Sequence, residues 1–165
     1  MNLANLNTVE DETSVFIAAD GKTIFFSSKG HDNLGGYGIF KSMRQEDGSW
    51  SKPMNLGYPI NTHADEGHLL VTAAGELADF ATDRETPGDL DLWELSLPEA
   101  VQPTPVVALE GLVVDGVNME PIAGAMVEVL DDSGEVLAQI RTPDGHFSLP
   151  IPIGERWWFR ASHRA

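Results

Sequence analysis

The sequence predicts an all-β chain in two parts: repeated four-stranded antiparallel sheets, then an antiparallel sandwich. Three observations carry that expectation. A set of polar residues recurs at a fixed displacement, short runs rich in Phe, Ile, Val and Thr alternate with turn dipeptides, and a cluster of prolines separates two differently patterned stretches. No 3.6-residue apolar period competes for a helical reading.

The repeat opens the chain. Asn7, Thr8, Asp11 and Glu12 recur as Asn61, Thr62, Asp65 and Glu66, each 54 residues later. Beyond them "IAADGKTIFFSS" (17–28) aligns with "VTAAGELADFATD" (71–83), and both read as hairpins, with Asp20-Gly21 as a strong turn dipeptide and Ala74-Gly75 as a weaker one. Next, "GYGIFKSM" (36–43) aligns with "DLDLWELSL" (89–97) at a displacement of 53. A last short strand in "GSWSKPMNLG", which holds Trp50 and Asn55, completes the first unit. Two such units, about 2–54 and 55–98, each of strand, tight turn, strand, loop, strand, loop and strand, have the length and pattern of β-propeller blades. Propellers close with about 4 to 8 blades. Two blades leave sheet edges open, so the sequence is expected to be a piece of a longer protein, starting inside a repeat.

Pro98, Pro103 and Pro105 interrupt any regular element and predict a semi-rigid linker over 99–106. From 107 to 165, five short strands are separated by turns at Ser133-Gly134 and Asp144-Gly145, the pattern of an antiparallel sandwich. About seven strands are usual in such a fold, so this part reads as truncated. Trp157 and Trp158 alternate on the last strand, which predicts one in the core and one outside.

Composition narrows the partners. The chain has 165 residues, 42% of them hydrophobic, enough for packed cores. Ten basic against 26 acidic residues give a net charge of −16, which repels phosphate backbones and anionic lipid. No nucleic-acid partner is expected. Cysteine is absent from the sequence, so no disulfide or thiolate chemistry is available. No apolar run approaches the roughly 18 residues of a membrane-spanning helix, and direct membrane insertion of this segment is not expected. The N-terminus also lacks the charged-then-apolar pattern of a signal peptide.

Three clusters have the residue types of a catalytic or metal site. "HADEGH" gathers His63, Asp65, Glu66 and His68, but at the equivalent positions of the first copy the histidines become Val9 and Ser14 while the acids persist. Neighbouring strand residues also point to opposite faces, which keeps Asp65 and Glu66 from one substrate bond. "DNLGGYG", with Gly35, Gly36 and Gly38, lacks the Lys-Ser/Thr and following helix of a phosphate loop and reads as a tight turn. "DRETPGDLD" offers Asp83, Glu85, Asp89 and Asp91 without a defined cation-loop spacing. No catalytic, metal or cofactor residue is assigned. The repeat-motif set (Asn7, Thr8, Asp11, Glu12, Asp20, Gly21, Gly35, Gly36, Trp50, Asn55, Asn61, Thr62, Asp65, Glu66) is expected to be structural, with Asn61, Thr62 and Asp65 bonding loop backbone between blades.

The stretch "FIAADGKTIFFSSKGHDNLGGYGIFKSMRQEDGSWSKPMNLGYPINTHADE" resembles the WD-like propeller repeat of bacterial OmpA-family envelope proteins, with their DGKxLYFSS-type hairpin, GLGGxDIF, WSxPxNLG and INTxxDE elements. The second copy departs from that pattern at "AAGELADFATD" and "PGDLDLW", and Gly38 stands where the family usually has Asp. "LEGLVVDGVNMEPIAGAMVEVLDDSG" and "TPDGHFSLPIPIG" resemble the carboxypeptidase regulatory-like, transthyretin-like sandwich. The resemblance implies an Ig-like sandwich after the propeller and a non-enzymatic binding scaffold in the periplasm or at the outer membrane, contacting a protein or a peptidoglycan-linked complex. The alternative is a piece of a carbohydrate-active or peptidase propeller.

Overall fold

The computed structural model describes residues 2–154 and 156–163. It is all-β, built from several small antiparallel sheets, with one 3-10 turn, Glu99–Val101, and no α-helix among the described residues. The chain divides into two compact units, Met1–Pro105 and Val106–Ala165.

The first unit contains the repeat as two sheets. One is four-stranded, ordered β1 (Glu12–Ile17), β2 (Thr23–Ser28), β3 (Gly38–Met43), β4 (Met54–Asn55). The other is three-stranded, ordered β5 (Glu66–Val71), β6 (Leu77–Thr82), β7 (Asp91–Ser96). Strands β1 and β2 recur as β5 and β6 at the 54-residue displacement of the sequence, and β3 recurs as β7 one residue closer. The irregularity recurs too. The β1–β2 register shifts between Thr13 and Phe16 and the β5–β6 register between Gly67 and Leu70, with Ser14 (φ 53°) and His68 (φ 56°) left-handed at equivalent positions. A β-branched residue would resist that conformation.

The second sheet has three strands where four were expected. After Ser96 the chain enters Pro98 and the 3-10 turn instead of returning along β7, because proline supplies no ladder donor. Val101 of that turn is buried in the core, Lys41 Nζ donates to the Gln102 carbonyl at 2.7 Å, and the Thr104 amide donates to Asp20 at 3.0 Å. Residues 99–105 are thereby packed onto the first unit.

Between the two sheets lies one core. Phe25 and Ile39 of the first sheet meet Leu69, Val71, Ala78 and Phe80 of the second, with Leu56 and Ile60 from the intervening loop. The far face of the first sheet is a second cluster, Ile24, Phe26 and Phe40 under Leu6 and Trp50. Strand β2 is therefore covered on both faces, which is why it reads as a continuous run, whereas β6 alternates, with Asp79 at the position of Phe25.

Among its described residues the second unit has five strands in two antiparallel sheets. They are β8 (Val106–Leu112) with β11 (His146–Pro152), and β9 (Met126–Leu130) between β10 (Val136–Arg141) and β12 (Trp158–Ser162). Val106, Ala125, Val127, Val129 and Leu149 are its buried apolar residues among those described, and β12 is exposed along its length. Neither tryptophan fills the core. Trp157 is half-buried with its indole N–H on the Pro152 carbonyl, and exposed Trp158 donates to Asp132.

Phe25 is fully buried where the two repeat sheets meet. Phe25→Ala should lower unfolding free energy by about 3–5 kcal/mol in a urea titration; a loss under about 1 kcal/mol would contradict a shared core.

Candidate functional site

The recurring polar residues build one arrangement twice. In the first copy the Thr8 amide and hydroxyl donate to the two Glu12 oxygens at 2.9 and 2.7 Å, and Ser28 Oγ donates to Glu12 at 2.8 Å. In the second copy the Thr62 amide and hydroxyl donate to Glu66 at 3.0 and 2.5 Å, and Thr82 Oγ1 donates at 3.3 Å. Each glutamate thus clamps the loop before its strand to the neighbouring strand. Each threonine hydroxyl also accepts a backbone amide two residues on, Glu10 or Ala64.

A second set joins the sheets and is complete only once. The Asn61 side chain accepts from the Ile39 amide and donates to the Ile39 carbonyl, both at 2.8 Å, while its Nδ2 also donates to Asn55 Oδ1 at 2.7 Å. Asp65 Oδ1 accepts the Tyr37 amide at 2.7 Å, and the Glu66 amide donates to the Tyr37 carbonyl at 2.7 Å. Asn61 is completely buried. The side chain of its counterpart Asn7 is exposed and, among the described residues, bonds Asn2, at 2.6 Å, and no strand. Asp11 likewise meets only the Tyr37 hydroxyl, at 3.5 Å.

The glycines serve this junction. A Cβ on Gly36 would sit 2.3 Å from the Ala64 carbonyl oxygen, and one on Gly35 would sit 2.6 Å from that of His63. The expected reading was a tight turn; the structure shows close approach of two backbones. Asp20 closes the β1–β2 turn at Gly21 by accepting from the Lys22 and Thr23 amides and the Thr23 hydroxyl at 2.7–2.9 Å. Asn55 ties down Gly57 and Asp32, and Trp50 covers the far cluster.

Of the acid and histidine clusters, none converges on one point. Glu66 is buried in its clamp, Asp65 faces β3, and Asp83 closes its own loop by accepting the Asp65 and Gly88 amides at 2.9 and 2.7 Å. Two features escaped the sequence. Arg84 donates to the Pro59 and Ile60 carbonyls at 3.0 and 2.7 Å, lies 3.5 Å from Glu66, and stacks over Trp93 at 4.9 Å. The first copy has Gly30 there, so the alignment carried no signal. The other is a cleft of about 290 Å³ between the sheets, lined by Ser14, Ser27, Tyr37, Asp65, Gly67 and His68. Ser14 Oγ and His68 Nδ1 face each other across it at 3.4 Å, longer than a nucleophile–base hydrogen bond. Their shared repeat position was the available clue.

Two carboxylates tie stability to pH. Burial raises the Asp20 and Glu12 values, but hydrogen bonds outweigh it: the Lys22, Thr23 and Thr104 amides and the Thr23 hydroxyl for Asp20, and Thr8, Ser28 and the His31 charge for Glu12. Both groups end below their ordinary values. Their stabilisation is therefore full above the ordinary carboxylate range and is lost as pH falls through the lowered folded values. Asp20→Asn should weaken the protein at pH 7 and flatten the acid limb of stability against pH; an unchanged acid limb would contradict the assignment. The two asparagines give a matched comparison: Asn61→Ala should cost about 1–3 kcal/mol and Asn7→Ala less than about 0.5 kcal/mol in denaturant unfolding, and equal losses would contradict the junction.

No protein-family model, curated protein or solved structure matches the chain.

Proposed function

We propose that the chain is a non-enzymatic binding scaffold of a bacterial envelope protein of the OmpA family. In this reading the first unit is two adjacent blades of a β-propeller and the second is an Ig-like, carboxypeptidase regulatory-like sandwich. The observation that carries it is the fate of the repeated polar residues: Thr8 with Glu12, Thr62 with Glu66, and Asn61 with Asp65 are consumed in holding loops and sheets together. A motif spent on architecture supports a scaffold, whose working surface is the loops and faces it displays. The net charge of −16 directs it toward protein or cell-wall partners and away from nucleic acid.

Fractionation of the source cells should place the protein in the periplasm or with the outer membrane. Recovery in the cytosol would overturn the reading. A turnover screen against glycosides and peptides separates the alternative, a carbohydrate-active or peptidase propeller: the scaffold predicts none, and turnover abolished by Ser14→Ala or His68→Ala would replace it with a catalytic cleft.

A further inference from the structure

The contact between the two repeat sheets shows what each sheet face accepts, and among the described residues it leaves one of each face exposed. On the second sheet, Leu92 is 86% exposed, whereas its repeat equivalent Ile39 is fully buried beneath Asn61 and the second sheet. The outer edge of β7 has no strand partner among the described residues, while the equivalent edge of β3 pairs with β4. On the first sheet, Val15 is 67% and Ile17 48% exposed, although their equivalents Leu69 and Val71 are buried in the intersheet core. Asn7 and Asp11, equivalents of the residues that clasp β3, are exposed beside them. One end of the unit offers the loop, and the other offers the edge the loop fits.

We infer that the partner of these two surfaces is a second copy of this chain, docked head to tail. The segment from Asn2 to Glu12 of one molecule lies along β7 of the next. Asn7 bonds the Leu92 amide and carbonyl as Asn61 bonds those of Ile39, and Asp11 accepts the Leu90 amide as Asp65 accepts that of Tyr37. Val15 and Ile17 then cover Leu92 as Leu69 and Val71 cover Ile39. Such an interface uses different patches on the two partners, so it propagates into rings or chains and does not stop at a symmetric dimer.

Two features weaken it and make it adjustable. Asp79 occupies the position of Phe25 and lies opposite Glu94 on the accepting face, where like charges repel. Each copy also carries a charge of −16. Both penalties are electrostatic, so salt strengthens the association. The inference rests on the observed packing of the two sheets and is independent of the envelope reading, which localisation and turnover test separately.

Sedimentation velocity of the full chain over a range of concentration and sodium chloride provides the test. The expected result is a series of species growing beyond dimers with concentration and with salt. Asp79→Phe should lower the required concentration about tenfold. Asn7→Ala disables one end and Leu92→Arg the other, both at exposed positions that leave the fold intact by circular dichroism, so each variant alone should remain monomeric. Mixing them should give a 1:1 dimer that grows no further, since one working end of each kind remains. A monomer under all conditions, including with Asp79→Phe, assigns the surfaces to a different protein and overturns the inference; so does association that ignores Asn7→Ala and Leu92→Arg.

Discussion

The first unit depends on how the backbone of one residue, Ile39 on the β4 side of β3, is satisfied. The outward N–H of Ile39 lies just past the two-residue pairing of β3 with β4 and is accepted by the Asn61 side chain, whose amide nitrogen also donates to the Ile39 carbonyl beside the Leu56 amide. A carboxylate would lack the donor and a lysine the acceptor. Because the clasp is buried, water cannot replace it cheaply. It fixes where the loop from Asn55 to Glu66 crosses β3, and so where β5 begins. The apolar residues of the second sheet then meet Phe25 and Ile39 in register.

The same constraint explains the asymmetry of the copies. A sheet covered on both faces affords an apolar β2, whereas a sheet covered on one face needs polar residues outward, as at Asp79 and Glu94. The drift of the second copy from the first follows its exposure. Where the environment is shared, at the turn glycine and the threonine–glutamate clamp, the residues stay alike.

Much of this was legible in the sequence. The displacement located β1, β2, β5 and β6, because a repeated side-chain pattern must repeat its backbone. The turn dipeptides at Gly21, Gly75, Gly134 and Gly145 marked where strands reverse, and all four glycines take positive φ. The missing fourth strand of the second sheet was hidden because prolines were read as spacing when they form a packed 3-10 turn. Gly35 and Gly36 were read as turn formers because local sequence reports conformation and not the approach of a distant backbone. Arg84 left no trace, since its partners are carbonyls that any residue supplies. The opposition of Ser14 and His68 required knowing that two bulges face one cleft, which no single strand encodes.

Hydrogen exchange at two equivalent amides tests the central claim most directly. In dilute protein, the Ile39 amide, held by Asn61, should exchange as slowly as amides inside β2, and the Leu92 amide, its equivalent on the open edge of β7, should exchange fast. Similar rates at the two positions would mean that Asn61 does not hold the sheets together, and the account would fail.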